Sequence, residues 1–239
     1  MIFLINLRKS HTDMSYTTLL LTLSPSIAIC IFIYWKDKFE KEPRNLLIAS
    51  FFLGMLSVIP TLILSIIGEV MGFNPGSNVL WWSLISCILG IGLVEEYCKY
   101  FFVRFHAYRK PAFNEPFDGI TYSVMVAMGF ATVENVLYVS NGGQDVAWIR
   151  MFTAIPGHAT DGVFIGFFLG MQKIMNKSFY GLIGLGITAI AHGLYDFFAL
   201  NAHIDAMFIF YWLCIFGLTI FLSFKAIRIH QRNSPFQGT

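Results

Sequence analysis

Seven apolar runs, each near the ~20 residues that a bilayer's hydrocarbon core demands, alternate with short polar stretches along the chain. They cover residues 16–35, 46–71, 79–103, 118–140, 148–172, 179–200 and 204–226. The pattern predicts an all-α fold, a polytopic transmembrane bundle of about seven spans. No repeat of 20–50 residues and no low-complexity segment interrupts it. Residues 1–15 form an N-terminal segment, 16–226 a single transmembrane domain and 227–239 a tail.

Basic residues fall on every second connection. Lys36, Lys38, Lys41 and Arg44 follow the first run; Arg104, Arg109 and Lys110 the third; Lys173 and Lys177 the fifth; Lys225, Arg228 and Arg232 the last. These are twelve of the 16 lysines and arginines, and the positive-inside rule makes their side cytoplasmic. The N-terminus is then outside and the C-terminus inside. Arg8 and Lys9 run against this assignment. Translation from Met14 would remove both, and N-terminal sequencing of native protein that found Met1 would reject that start. A cleaved signal peptide fits poorly, because the run Leu19–Trp35 is long enough to span and lacks a small-x-small cleavage site.

Composition agrees with membrane spans. The 239 residues are 56% hydrophobic and 13% charged, where a soluble domain carries about a quarter charged residues. Mean hydropathy is +0.65. A net charge of +2 with no basic stripe gives no footprint for nucleic acid. Cys30, Cys87, Cys98 and Cys214 all lie in apolar runs and form no CxxC pair, so they read as small buried apolar residues rather than a disulfide or zinc framework.

Charges placed inside the runs change the picture. An ionised side chain near a membrane centre costs at least a few kcal/mol, so such residues mark chemistry or a polar path. The third run contains Glu95-Glu96-Tyr97-Cys98-Lys99. Glu95 and Lys99 share a helix face, while Glu96 points about 100° away. Two adjacent carboxyls in a low dielectric do not ionise equally, which separates a base from an acid. The fourth run contains Phe130 and Glu134, and no basic residue lies within a turn of that glutamate. Asn135 is either a donor to a developing oxyanion or an interhelical hydrogen bond. In the fifth run Pro156 breaks the helical ladder, and His158, Gly162, Gly166 and Gly170 form a stripe that faces a neighbouring helix. Asp161 can orient the His158 ring. The sixth run pairs His192 with Asp196 on one face, as acid/base or as metal ligand.

Five acids against Lys99 leave this set at −4 with neutral histidines. Protonated acids, cationic histidines or one divalent metal ion would each relieve that charge. HExxH is absent, yet Glu95, Glu134, His158 and His192 could supply an open tetrahedral site such as zinc takes. Straight-helix depths place Glu134, His192 and His158 ~9, ~12 and ~15 Å from the outer ends of their spans but Glu95 ~21 Å in. A third span starting nearer Ile88 would close that gap.

The same residues resemble the PrsW family of intramembrane proteases. Its motifs EExxK, FxxxE and HxxxD match Glu95 to Lys99, Phe130 to Glu134 and His192 to Asp196, in order and on separate spans. The runs Trp35 to Pro43, Pro116 to Gly119, Glu134 to Tyr138 and Pro156 to Ala159 look like that family as well. The resemblance covers residues 20–200. It implies a protease of the bacterial plasma membrane, distantly similar to CAAX prenyl endopeptidases, that cuts a single-span, membrane-anchored protein such as an anti-sigma factor on its extracytoplasmic side. Site residues are then Glu95, Glu96, Lys99, Glu134, His158, His192 and Asp196. Either a glutamate alone activates the water, with Glu95 favoured because Lys99 can hold it ionised, or a metal takes part. Two rival classes use the same residues: a non-catalytic membrane scaffold or chaperone, and a cation-coupled transporter, which usually shows internal symmetry not visible here.

Overall fold

The computed structural model describes residues 15–237, so Arg8, Lys9 and the Met14 start lie outside the described residues. The described chain is a helical bundle. Its elements are α1 Tyr16–Lys36, α2 Arg44–Val70, α3 Leu80–Ile85, a π-helical turn Ser86–Gly92, α4 Leu93–Phe105, α5 Pro116–Phe152, α6 Ala154–Met175, α7 Phe179–Leu200 and α8 Ala206–Arg232. Among the described residues, six stretches are long and apolar enough to cross a membrane; one of them, Pro116–Met175, contains both α5 and α6.

Helix α5 is the centre, and α1, α2 and α6 pack around it. Nearly every side chain from Pro116 to Thr132 is buried. Glycines allow this density. A Cβ added at Gly129 would lie 1.9 Å from the Phe51 carbonyl oxygen of α2, and one at Gly166 would lie 2.3 Å from that of Gly119. The small-residue stripe on α6 therefore does face a neighbour, and that neighbour is α5. Pro156, expected to break a helix, sits instead in the first turn of α6, where its missing N–H costs nothing. The actual break is Thr153, with non-helical φ −121° and ψ −74°. A second one lies inside α5 at Gly143, whose φ of +69° suits a residue without a Cβ.

The π-helical turn ends at Gly92, three residues before Glu95. Such turns insert an extra residue into an α-helix and recur at functional sites. Gly92 and Gly193 bring this turn against α7: an added Cβ at Gly92 would meet the Ala189 carbonyl oxygen at 2.4 Å. The connection 71–79 folds back along the helix, with Asn74 N–H donating to Ser86 Oγ at 2.9 Å and Phe73 packed on Gly90. The helix starts at Leu80, not near Ile88. Through Gly90 this connection comes within about a turn and a half of Glu95 along the helix.

At the opposite end, where the basic connections lie, four acids gather beneath α5. Asp118 caps that helix, its Oδ2 accepting from the Asn114 and Glu115 N–H groups at 2.7 Å each. Glu42 accepts the Tyr122 hydroxyl and Glu115 the Ser234 hydroxyl. Asp37 is fully buried with neither oxygen hydrogen-bonded. Burial, reinforced by Asp118 and Glu115, pushes Asp37 up to about 7, against the weaker pull of Lys41. Burial likewise lifts Glu42 to about 7. Both groups hold protons in the folded chain that an unfolded carboxyl, titrating near ~4, has released. Their contribution to stability is therefore complete in acid and lost as pH rises from about 4 through about 7. Amide exchange of residues 37–43, corrected for intrinsic rate, is expected to be faster at pH 8 than at pH 6. Equal protection at the two values would remove this account.

Candidate active site

Four helices deliver the ionisable side chains to one place. Glu95, Glu96 and Lys99 come from α4, Glu134 from α5, His158 and Asp161 from α6, and His192 and Asp196 from α7. All seven residues singled out from the sequence lie within this cluster. They flank a cavity of about 790 Å³, whose wall includes Glu95, Glu134, His158, Asp161, His192 and Asp196. The 71–79 connection contributes Phe73 to Gly76 to the same wall.

Lys99 is the hub. Its buried ammonium donates to Glu96 Oε1 at 2.7 Å and to Glu95 Oε2 at 3.4 Å, lies 3.1 Å from His158 Nδ1, and sits 4.2 Å from the centre of the Phe130 ring. Its shorter carboxylate contact is thus with Glu96 rather than the i, i+4 partner Glu95. The two glutamates differ in access as well. Glu96 is fully buried and outside the cavity wall, whereas Glu95 is on the wall.

Hydrogen-bond logic fixes the histidines. An ammonium can only donate, so His158 Nδ1 accepts and its proton sits on Nε2, which donates to Glu134 Oε2 at 2.7 Å. His192 has carboxylates at both nitrogens. Nδ1 is 2.8 Å from Glu96 Oε1 and 3.3 Å from Asp161 Oδ2; Nε2 is 3.5 Å from Asp196 Oδ2 and 3.8 Å from Glu95 Oε2. The hydrogen bond to Glu96 at Nδ1, with carboxylates near both nitrogens, electrostatically favours a proton on each nitrogen. Asp161 is therefore a partner of His192, where its one-turn spacing from His158 suggested the other ring.

Glu134 does find a base, though not a local one. Arg150, sixteen residues on and beyond the Gly143 break, donates from Nη2 to Glu134 Oε2 at 2.7 Å and from Nε to Asn135 Oδ1 at 2.8 Å. The Asn135 amide donates to the Thr22 carbonyl of α1 at 2.9 Å. Asn135 thus makes the interhelical bond, and it is fully buried and off the cavity wall. Arg150 stands at the start of the fifth apolar run, on the side that the basic connections leave with only Arg8 and Lys9 besides, and no spacing in the sequence pairs it with Glu134. Arg150 and a doubly protonated His192 relieve half of the charge deficit that Lys99 alone leaves.

Glu95, Glu96, His158 and His192 each bring one possible ligand atom within 4.8 Å of the others. Two imidazoles and two carboxylates are a chemically suitable set for zinc. Glu134 is not among them, since it lies on the far nitrogen of His158. The Lys99 ammonium, however, already contacts three of the four donors. The ammonium competes for one atom on each of those three residues, while Glu96 Oε2 is buried without a hydrogen-bond partner, so these four residues would be the ones to hold a metal.

Residues 42–222 match the sequence profile of the family described as "PrsW family intramembrane metalloprotease". The chain is 33% identical to Protease PrsW of Bacillus subtilis (strain 168) over 178 residues, which is 73% of this chain and 79% of that protein. It is 31% identical to Protease PrsW of Geobacillus kaustophilus (strain HTA426) over 182 residues, 74% and 77% of the two chains. Against Protease PrsW of Shouchella clausii (strain KSM-K16) the identity is 31% over 208 residues, 83% and 94% of the two. No solved structure matches the chain.

Proposed function

Because the chain belongs to the PrsW family of intramembrane proteases, multi-pass peptidases of bacterial membranes, we propose that it cuts a single-span membrane protein, of the anti-sigma-factor kind, on the extracytoplasmic side by glutamate-activated water. One observation carries the reading. A cavity of about 790 Å³ presents a carboxylate, Glu95, and a carboxylate-flanked imidazole, His192, on one wall, with a buried ammonium directly behind them. The cavity is walled by connection 71–79 and by the ends of α5 and α6 away from the basic connections, which supports the extracytoplasmic side.

Glu95 takes a proton from water as the oxygen attacks the scissile carbonyl carbon. His192 Nε2–H donates toward the carbonyl oxygen, where negative charge develops. Collapse of the tetrahedral species breaks the C–N bond, and the proton held by Glu95 passes to the leaving amine. Glu96, Asp161 and Asp196 keep the His192 ring in place. Lys99 is the fixed cation of the site, in the position a metal would otherwise take.

The test is proteolysis of single-span reporters by purified protein in proteoliposomes, with and without EDTA or 1,10-phenanthroline. Cleavage is expected to persist with chelator. Loss of cleavage in chelator, restored by zinc, would overturn the lysine-centred mechanism; no cleavage of any reporter by protein that remains folded would favour a scaffold.

A further inference from the structure

The geometry points to Arg150 as a positioning residue for this site: its guanidinium fixes Glu134, and through Glu134 the His158 ring and the Lys99 ammonium. This rests on the proteolytic reading above and adds to it a residue outside the three motifs. Arg150 stands beyond the Gly143 break, on the segment that runs into α6. Its side chain turns back to α5, where two of its nitrogens donate to adjacent residues, Glu134 and Asn135, and its plane lies 4.1 Å from the centre of the Tyr138 ring.

Each partner is committed so that the arginine's place is determined. Asn135 gives its amide hydrogen to the Thr22 carbonyl, so its oxygen must face Arg150. Glu134 uses a single oxygen, Oε2, for both Arg150 and His158 Nε2, each at 2.7 Å. That shared oxygen sets where the ring points. With Nε2 held as the donor, Nδ1 is left as the acceptor that Lys99 requires. The string Arg150, Glu134, His158, Lys99 ends on Glu95 and Glu96. Arg150 touches neither glutamate and acts through the string. A guanidinium suits this task because its planar fork reaches two oxygens at once, which a lysine ammonium does as a point charge without fixed angles.

Two measurements test the assignment, and one needs no substrate. The ¹⁵N spectrum of histidine-labelled protein in lipid should show His158 as the neutral Nε2–H tautomer. In Arg150→Ala that signature is expected to shift or average, while Arg150→Lys keeps the charge and retains it only in part. In the reporter assay, Arg150→Ala should lower kcat by roughly tenfold to a hundredfold, as misplacement of reacting groups does, with KM within about twofold of wild type and partial rescue by added guanidinium. If Arg150→Ala does not fold, Arg150→Lys is read alone and must show the kcat loss. An unchanged His158 spectrum together with unchanged kcat overturns the proposal, as does a loss carried by KM alone, which would make Arg150 a substrate contact. Cleavage by Glu95→Gln at the wild-type rate would sink the parent reading while leaving the spectroscopic result standing.

Discussion

Glu95→Gln is expected to reduce reporter cleavage by about a thousandfold or more, the upper part of what a general base contributes, while the protein inserts and melts like wild type. The amide keeps the size of the side chain and an oxygen for Lys99, whose contact with Glu95 is already long at 3.4 Å. What it loses is the lone pair that can take a proton from water. Glu96→Gln should also be inactive, for a different reason. Glu96 Oε1 is held by both Lys99 and His192, so its neutralisation loosens the ring that faces the scissile carbonyl and the ammonium behind it, and lowers thermal stability as well. Kinetics and melting measured on both variants separate the roles. Wild-type cleavage by Glu95→Gln, or a stability loss in Glu95→Gln equal to that in Glu96→Gln, would contradict the division between a cavity base and a buried anchor.

Lys99→Met has the largest expected effect on stability. The methionine fills the space and packs on Phe130, but it leaves Glu95 and Glu96 adjacent and uncompensated in a site that is almost fully buried. Removing one partner of a buried ion pair costs about 3–5 kcal/mol. Cleavage should vanish with it. Glu96→Gln combined with Lys99→Met should recover part of the lost stability, because the double change removes the stranded charge along with its partner. The same substitution frees Glu95, Glu96 and His158 from the ammonium, so Lys99→Met is expected to bind zinc more tightly than wild type. A Lys99→Met protein as stable as wild type would mean that the ammonium is not the cation balancing these acids.

The chemistry was legible in the sequence where partners share a helix. The Glu95–Lys99 and His192–Asp196 spacings place each pair on one face, and the structure has both contacts, at 3.4 and 3.5 Å. Partners on different helices were not legible. Asp161 lies one turn from His158 along the chain but bonds His192, because that face of α6 packs against α7 and not along its own axis. Arg150 was hidden for the same reason, with a chain break at Gly143 between it and Glu134. The two glutamates could be told apart only by the cavity, since sequence gives their angular separation and not which side is open.

The apolar periodicity gave the helices closely, because each run must satisfy its own backbone hydrogen bonds. It could not show where a helix changes its winding. Pro156 reads as a break, yet proline in a first turn is harmless and the helix breaks three residues earlier, at Thr153. Likewise the sequence could not show that the connection 71–79 folds back beside Ser86 and Gly90.

The extra residue in Ser86–Gly92 gears two parts of the molecule together. On one side of it the helix is anchored to the outer connection through Ser86 and Trp82, the latter donating to the Gly72 carbonyl; on the other side Glu95, Glu96 and Lys99 are aimed at the cluster. Removing one residue there would restore ordinary winding and rotate one half against the other by about 100°, so that either the mouth or the charges must come out of register. Changes of length in this stretch are therefore closed to the protein as a way of adjusting its mouth to a new substrate, and adaptation has to proceed through side chains on connection 71–79 instead.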